Sequence, residues 1–199
     1  MLPISPDDKL FILTGAGVSA ESGIPTFRGV NGLWRNYRIE EVASPHAWAR
    51  DPRLVWEFYS MRRRVALAAK PNPAHIALAK LEQRLEDRLF LCTQILQRSF
   101  PAASAEDGFA RISAGSAKLP FELDRIFRAL DECTVFMAVG TSGVVEPAAS
   151  FVAQVGGHAR TIYVGPEEPA NLSAFTECHL GKRVSFCLDS SAECSERSV

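Results

Sequence analysis

The chain has 199 residues, 47% of them apolar, and a formal net charge of −1. That length accommodates one domain, which buries roughly 70% of its unfolded surface, and the near-neutral charge excludes an electrostatic footprint for nucleic acid. No apolar run reaches the length of a membrane span, so no membrane partner is expected. Five scattered cysteines (Cys92, Cys133, Cys178, Cys187 and Cys194) include no Cys-x-x-Cys pair. They read as reduced thiols, not as a disulfide frame or zinc ribbon. Met1 to Lys9 is acidic and proline-containing, unlike a signal peptide. A cytoplasmic protein is expected.

Leu10 to Leu13 form a short apolar run that reads as a buried strand, followed by a turn through Thr14-Gly15-Ala16-Gly17. Glycines after a strand let the backbone turn tightly and approach a ligand. A helix starting at about Gly17 points its free N–H groups and dipole into that gap, which makes a phosphate site. Ser19 and Glu21 add a hydroxyl and a carboxylate, and Pro25 stops the helix before Phe27 and Arg28. A bare Gly-x-Gly is equally an ordinary turn.

Ser44-Pro45 and Asp51-Pro52 are helix starts, with the polar residue as cap and proline in the first turn. The helix from Pro52 to about Ala69 is expected to bury Val55, Phe58, Val65 and Met61. Tyr59 and Arg62 lie three apart on it and share a face. A phenol beside a guanidinium can clamp a carboxylate; the alternative is a solvated basic face, since Arg62, Arg63 and Arg64 run together. Pro71-Asn72-Pro73 starts another helix, with Ile76, Leu78, Leu81 and Leu85 as its apolar side. His75 falls in its first turn and reads as a structural or capping residue without a ligand or base partner. Leu89 to Thr93 is a second buried strand, and Gln94 follows at the edge where a doubly wound sheet places ligands.

Phe121 to Cys133 reads as an amphipathic helix with Phe121, Leu123, Ile126, Phe127 and Leu130. Val135 to Val139 is a third strand, and Gly140-Thr141-Ser142-Gly143 repeats the glycine turn with two hydroxyls placed for a ribose or phosphate. Pro147 opens a helix that ends at Gly156-Gly157, and Thr161 to Val164 is a fourth strand. Cys178 and His179 are adjacent with no second pair, so they do not make a metal site.

The string from Leu10 to Gly29, above all Gly15-Ala16-Gly17-Val18-Ser19-Ala20-Glu21 through Phe27-Arg28, closely resembles the signature of the sirtuins, the NAD-dependent protein-lysine deacylases. The resemblance implies a Rossmann-like α/β fold: a doubly wound parallel sheet with helices on both faces. It implies NAD as cofactor, with Gly15, Ala16, Gly17, Ser19, Ala20, Glu21, Phe27, Arg28, Gln94, Gly140, Thr141 and Ser142 around the dinucleotide. It implies an acylated-lysine protein or peptide as partner. Trp56 to Arg62 looks like the helix of the sirtuin class whose Tyr-x-x-Arg pair recognises succinyl- and malonyl-lysine, so Tyr59 and Arg62 are the expected substrate selectors.

The resemblance covers residues 10–94 and 120–182, read as one domain that begins at residue 1. After Thr93-Gln94 the family has asparagine and, two positions later, aspartate; here Ile95-Leu96-Gln97 follow. Residues 97–119 hold no histidine and no cysteine. In the family this region carries the general-base histidine, in a His-Gly pair, and a small zinc-binding domain with four cysteine ligands. Both are missing, so no catalytic base and no metal ligand is identified. Residues 95–119 are read as an aberrant linker replacing that segment, and 183–199 as an aberrant tail. After the fourth strand the family usually has asparagine on the adenosine side, where Gly165 stands. The lineage implied is a desuccinylase, demalonylase or deacetylase, impaired in this chain; the alternative is a module that binds NAD or ADP-ribose without turnover.

Overall fold

The computed structural model describes residues 4–26, 33–34, 37–94, 109–111 and 123–181. Phe27, Arg28, Phe121, Cys187, Cys194, the tail 183–199 and most of the segment 95–119 lie outside the described residues.

Six parallel strands form the main sheet: β1 (Leu10–Thr14), β4 (Leu89–Thr93), β5 (Phe109–Arg111), β6 (Val135–Val139), β7 (Arg160–Gly165) and β8 (Glu177–Leu180). Their order is β5-β4-β1-β6-β7-β8. Counting only these strands along the chain, that is the 3-2-1-4-5-6 arrangement of the Rossmann fold. The strand order reverses between β1 and β6, which pair in register from Leu10↔Val135 to Thr14↔Val139. Ligands in such sheets sit outside the carboxyl ends of the strands at that reversal.

The strands read as continuous apolar runs because both faces are covered. Along β1, Leu10 and Ile12 join one core with Leu89, Leu91, Met137 and the helix α4 (Pro73–Leu85). Phe11 and Leu13 join the other with Phe136, Tyr163 and the helices α5 (Leu123–Glu132) and α6 (Phe151–Val155). Alternation along each strand thus feeds two helical layers.

Between β1 and β4 stands a helical unit. A two-stranded antiparallel pair, β2 (Leu33–Trp34) and β3 (Tyr37–Arg38), leads to α1 (Ile39–Val42), α2 (Pro45–Arg50) and α3 (Pro52–Ala68). The three Xaa-Pro caps are as expected. The Ala47 amide donates to Ser44 Oγ at 3.0 Å, the Leu54 amide to Asp51 Oδ1 at 3.0 Å, and the His75 amide to Asn72 Oδ1 at 3.1 Å. Val42 and Phe58 form a small separate core here, with Tyr37, Leu54, Tyr59 and Met61 packed on it.

Several expectations need correction. The helix after the first glycine turn starts at Ala16 and is a seven-residue 3-10 helix, Ala16–Ser22. It closes on Gly23 in the left-handed conformation, two residues before Pro25, so its dipole is shorter than expected. The core stripe of α4 is Ala74, Ala77, Leu78 and Leu81, whereas Ile76 is 46% exposed. Positions i, i+3, i+4 and i+7 share a face, and Ile76 falls outside them. Val65 on α3 is only half-buried. Phe127 on α5 is likewise half-exposed, edge-on to Phe151 at 6.3 Å. Within the segment read as a linker, Phe109–Arg111 pair with β4 as the edge strand β5. Cys178 and His179 lie on the opposite edge strand β8.

Candidate functional site at the strand reversal

The two glycine turns meet at the carboxyl ends of β1 and β6. The Gly15 amide donates to Val139 O at 3.0 Å and the Gly17 amide to Gly140 O at 2.9 Å. A Cβ on Gly15 would stand 2.7 Å from Gly140 O, and one on Gly17 2.6 Å from the same atom. A Cβ on Gly140, whose φ is +61°, would stand 2.6 Å from Val18 N. These glycines therefore let one turn lie against the other, main chain on main chain.

Gly15, Gly17 and Val18 are thus brought against Gly140 and Thr141, with Ala16, Ser19, Ala20 and Glu21 on the same 3-10 segment and Ser142 next along the second turn. Ala20 and Glu21 are exposed, Ser142 is half-buried, and Ser19 and Thr141 are buried. Gln94 joins them from β4: its amide donates to Thr14 O at 3.0 Å. Its side chain lines a cleft with Thr141, Gly143, Val145 and Asn171 over an apolar floor of Leu13 and Ala138.

Thr14 ends β1 immediately before the first glycine and is 1% exposed, yet its Oγ1 has no hydrogen-bond partner among the described residues. A buried hydroxyl left unpaired costs about 1–3 kcal/mol. Such an unused group beside two apposed turns fits a ligand rich in hydroxyl and phosphate oxygens, such as a dinucleotide.

Beneath the first turn lies a buried polar link that sequence reading missed. Ser19 Oγ is 3.4 Å from His75 Nε2. The Asn72 amide donates to His75 Nδ1 at 3.2 Å, completing a capping box on α4. The Asn72 side-chain amide donates to Val18 O at 2.8 Å. His75 is a capping residue as expected, but it also has a partner in the signature. Nδ1 accepts, so in the neutral ring Nε2 carries the proton and donates to Ser19. Burial pushes the His75 pKa down to about 4, because a charged ring loses its hydration there. His75 is therefore neutral at pH 7. The separation of 56 positions between Ser19 and His75 left no local signal for this contact.

The other histidines stand elsewhere. His158 Nε2 lies 3.1 Å from Leu130 O, His46 is on α2, and His179 is 3.7 Å from Glu177 on β8. Among the described residues no group of three His, Cys, Asp or Glu side chains is arranged to hold a metal ion. Among the described residues, Cys92, Cys133 and Cys178 form no disulfide.

Tyr59 and Arg62 belong to the helical unit, not to the paired turns. Arg62 Cζ stands 5.8 Å from the centroid of Phe58 one turn back, and the rings of Phe58 and Tyr59 meet edge-on at 5.4 Å. Burial lowers the Arg62 pKa and the neighbouring Tyr59 opposes that shift. Both side chains are half-buried, so a cation is held in a partly dry setting next to a phenol.

Comparison with known proteins gives a consistent picture. Residues 15–98 match the model of the Sir2 family. A protein of Pasteurella multocida named NAD-dependent protein deacylase is 35% identical, over 87% of this chain and 92% of its own. One of that name from Pyrococcus furiosus is 40% identical over 68% and 72% of the two chains. The alignment with the first spans 218 positions, more than the 199 residues present here, so that relative carries stretches with no counterpart in this chain. Among solved structures, a Sir2 homologue in complex with NAD superposes with a TM-score of 0.75 at 31% identity, covering 93% of this chain and 88% of the other. A Sir2 homologue mutant bound to 2′-O-acetyl ADP-ribose gives 0.78 at 31% identity, covering 93% and 91%.

Proposed function

Because the chain belongs to the Sir2 family, we propose that it binds NAD at the apposed glycine turns and descends from an NAD-dependent protein-lysine deacylase. The observation that carries this is the backbone contact of the two turns at the strand reversal, with the unpaired Thr14 hydroxyl beside it. When bound, NAD would supply an electrophilic ribose carbon for the acyl oxygen of a modified lysine, with nicotinamide as leaving group, and a neighbouring ribose hydroxyl to take the acyl group, so that with water the products are free lysine, nicotinamide and O-acyl-ADP-ribose. Gly15 to Glu21 and Gly140 to Ser142 hold the pyrophosphate and riboses. Gln94 faces the reacting end. Phe27 and Arg28 extend the first turn in sequence.

Tyr59 and Arg62 select the acyl group. A half-buried guanidinium beside a phenol suits a carboxylate-bearing acyl chain, and we assign a preference for succinyl- and malonyl-lysine in a protein or peptide. A charge-assisted hydrogen bond contributes about 1.5–3 kcal/mol.

Turnover is impaired in this reading. Family members deprotonate a ribose hydroxyl with a histidine, and loss of a general base costs on the order of 10²–10⁴ in rate. His75 is committed to the cap of α4 and to Ser19, and His46, His158 and His179 stand on other elements. The zinc-binding domain of the family has no ligand set in this sequence outside a Cys-x-x-Cys-free group of five cysteines, so no zinc is assigned.

The second reading, a module that holds NAD or ADP-ribose without turnover, draws on the same histidine placement. Incubation with NAD and a succinyl-lysine peptide separates the two. Nicotinamide release above a no-peptide blank supports the enzyme. A rise in Tm with NAD and no release supports the binding module. No Tm change with either NAD or ADP-ribose overturns both.

A further inference from the structure

Tyr163 is fully buried on β7, and its phenol reaches out of the core to the second glycine turn. Oη lies 3.1 Å from Thr141 O and 2.8 Å from Glu167 O. One O–H proton therefore sits between the carbonyl of the 140–143 turn and that of the loop after β7. Phe175 packs edge-on against the ring at 5.5 Å and fixes its plane.

Gly165 stands two residues further along the same face of β7. A Cβ there would lie 2.3 Å from Tyr163 Oη and 2.7 Å from Cζ. The phenol occupies the volume that a side chain at 165 would need. The absence of a side chain at 165 and the presence of a tyrosine at 163 are one arrangement.

The same loop is laced to the turn at further points. The Ala170 amide donates to Ser142 O at 3.0 Å. The Asn171 side-chain amide donates to Ala149 O at 2.9 Å, and its Oδ1 lies over Gly143, where a Cβ would meet it at 2.1 Å. Thr141 and Ser142 are thereby held from behind by the 165–171 loop, with Tyr163 at the root of the seam.

We propose that Tyr163 is a positioning residue of the cofactor site. From the space freed by Gly165, its hydroxyl pins the Thr141 carbonyl and so fixes the hydroxyls of Thr141 and Ser142 toward the adenosine half of an ADP-ribose ligand. The role rests on the NAD reading of the paired turns.

Titration calorimetry of the full chain with ADP-ribose tests it. Tyr163→Phe keeps the ring and removes the hydroxyl. The expected result is a Kd raised about 5- to 10-fold, the worth of one buried hydrogen bond. Val155→Ala, a truncation in the buried face of α6, lowers Tm and leaves Kd unchanged, which a merely structural role for Tyr163 would match. Without ligand, amide exchange at Ala170 quickens in Tyr163→Phe and not in Val155→Ala. Gly165→Ala weakens binding in the native background and much less when Tyr163→Val has vacated the space. Unchanged affinity in Tyr163→Phe, with the native chain binding normally, overturns the positioning role and leaves the cofactor reading standing. A folded native chain without affinity for ADP-ribose overturns both.

Discussion

Gly17 and Gly140 touch main chain to main chain: the Gly17 amide donates to Gly140 O at 2.9 Å, and a Cβ on either would strike the other's turn at 2.6–2.9 Å. The glycines of both motifs thus serve the contact between the motifs before they serve any ligand. Three glycines separate the physical effects. Gly23 has a φ of +77° and open space within 4 Å of where a Cβ would stand, Gly17 has the steric conflict alone, and Gly140 has a φ of +61° and the conflict together. Gly23→Ala is expected to cost about 1 kcal/mol from backbone strain. Gly17→Ala is expected to cost about 1–3 kcal/mol, the range for overpacking, and Gly140→Ala more than either. Urea unfolding measures the order; equal costs at 23 and 140 would show that the turns are not in contact.

Asn72 joins the signature turn to α4. Its Oδ1 caps the helix through the His75 amide, and its Nδ2 donates to Val18 O. Loss of a cap costs about 1 kcal/mol, and leaving a buried carbonyl unpaired adds about 1–3 kcal/mol. Asn72→Ala is therefore expected to destabilise by more than Ser44→Ala, whose half-buried cap bonds to its own helix start and to Glu40 O. Thermal melts of the two variants compare them directly. Similar Tm values would show that the Val18 bond adds nothing.

His75 makes stability depend on pH. Its folded pKa is near 4, below the ordinary 6.5, because burial disfavours the charged ring. The unfolded chain therefore binds the proton more readily, and stability rises with pH across that interval. The contribution is whole above about pH 6.5, falls as pH drops, and is gone below about 4. A shift of this size corresponds to on the order of 3 kcal/mol. His75→Gln has no proton to gain. Its urea midpoint is expected to be lower at pH 7 and flatter between pH 4 and 6.5. A parallel pH slope in variant and native chain would assign the dependence to other groups.

How much of the fold and site is legible in the sequence follows from the range of each signal. Caps are local, so Ser44-Pro45, Asp51-Pro52 and Asn72-Pro73 announce α2, α3 and α4. Apolar runs after which glycine appears announce β1 and β6. What needs the tertiary register stays hidden. The Ser19–His75 contact spans 56 residues and the Tyr163–Thr141 bond 22. β8 is half-exposed with alternating burial, so it lacks the continuous apolar run of the inner strands. Ile76 looks like core because hydrophobicity is visible in sequence, whereas the face of α4 that meets the sheet is set by Ala74, Ala77, Leu78 and Leu81. Gly165 reads as a missing contact; beside Tyr163 it is the space into which a phenol fits.

In the proposed function, Arg62 recognises the acyl group and takes no part in binding the cofactor. Its guanidinium lies against Phe58 and beside Tyr59 in the helical unit, remote in topology from the turns of β1 and β6. Burial lowers its pKa, but a guanidinium stays charged in proteins, so the site keeps a cation at any working pH. Arg62→Met retains most of the apolar stem that packs on Phe58 and removes the charge. Affinity for a succinyl-lysine peptide is expected to fall about 10- to 100-fold, the equivalent of one charge-assisted hydrogen bond. Affinity for the matching acetyl-lysine peptide should hold, because no carboxylate is there to lose its partner. The rise in Tm with NAD should also hold, since that ligand is assigned to other elements. Fluorescence anisotropy with the two labelled peptides reads the difference. Equal losses for both would mean that Arg62 supports the helix and does not choose the acyl group.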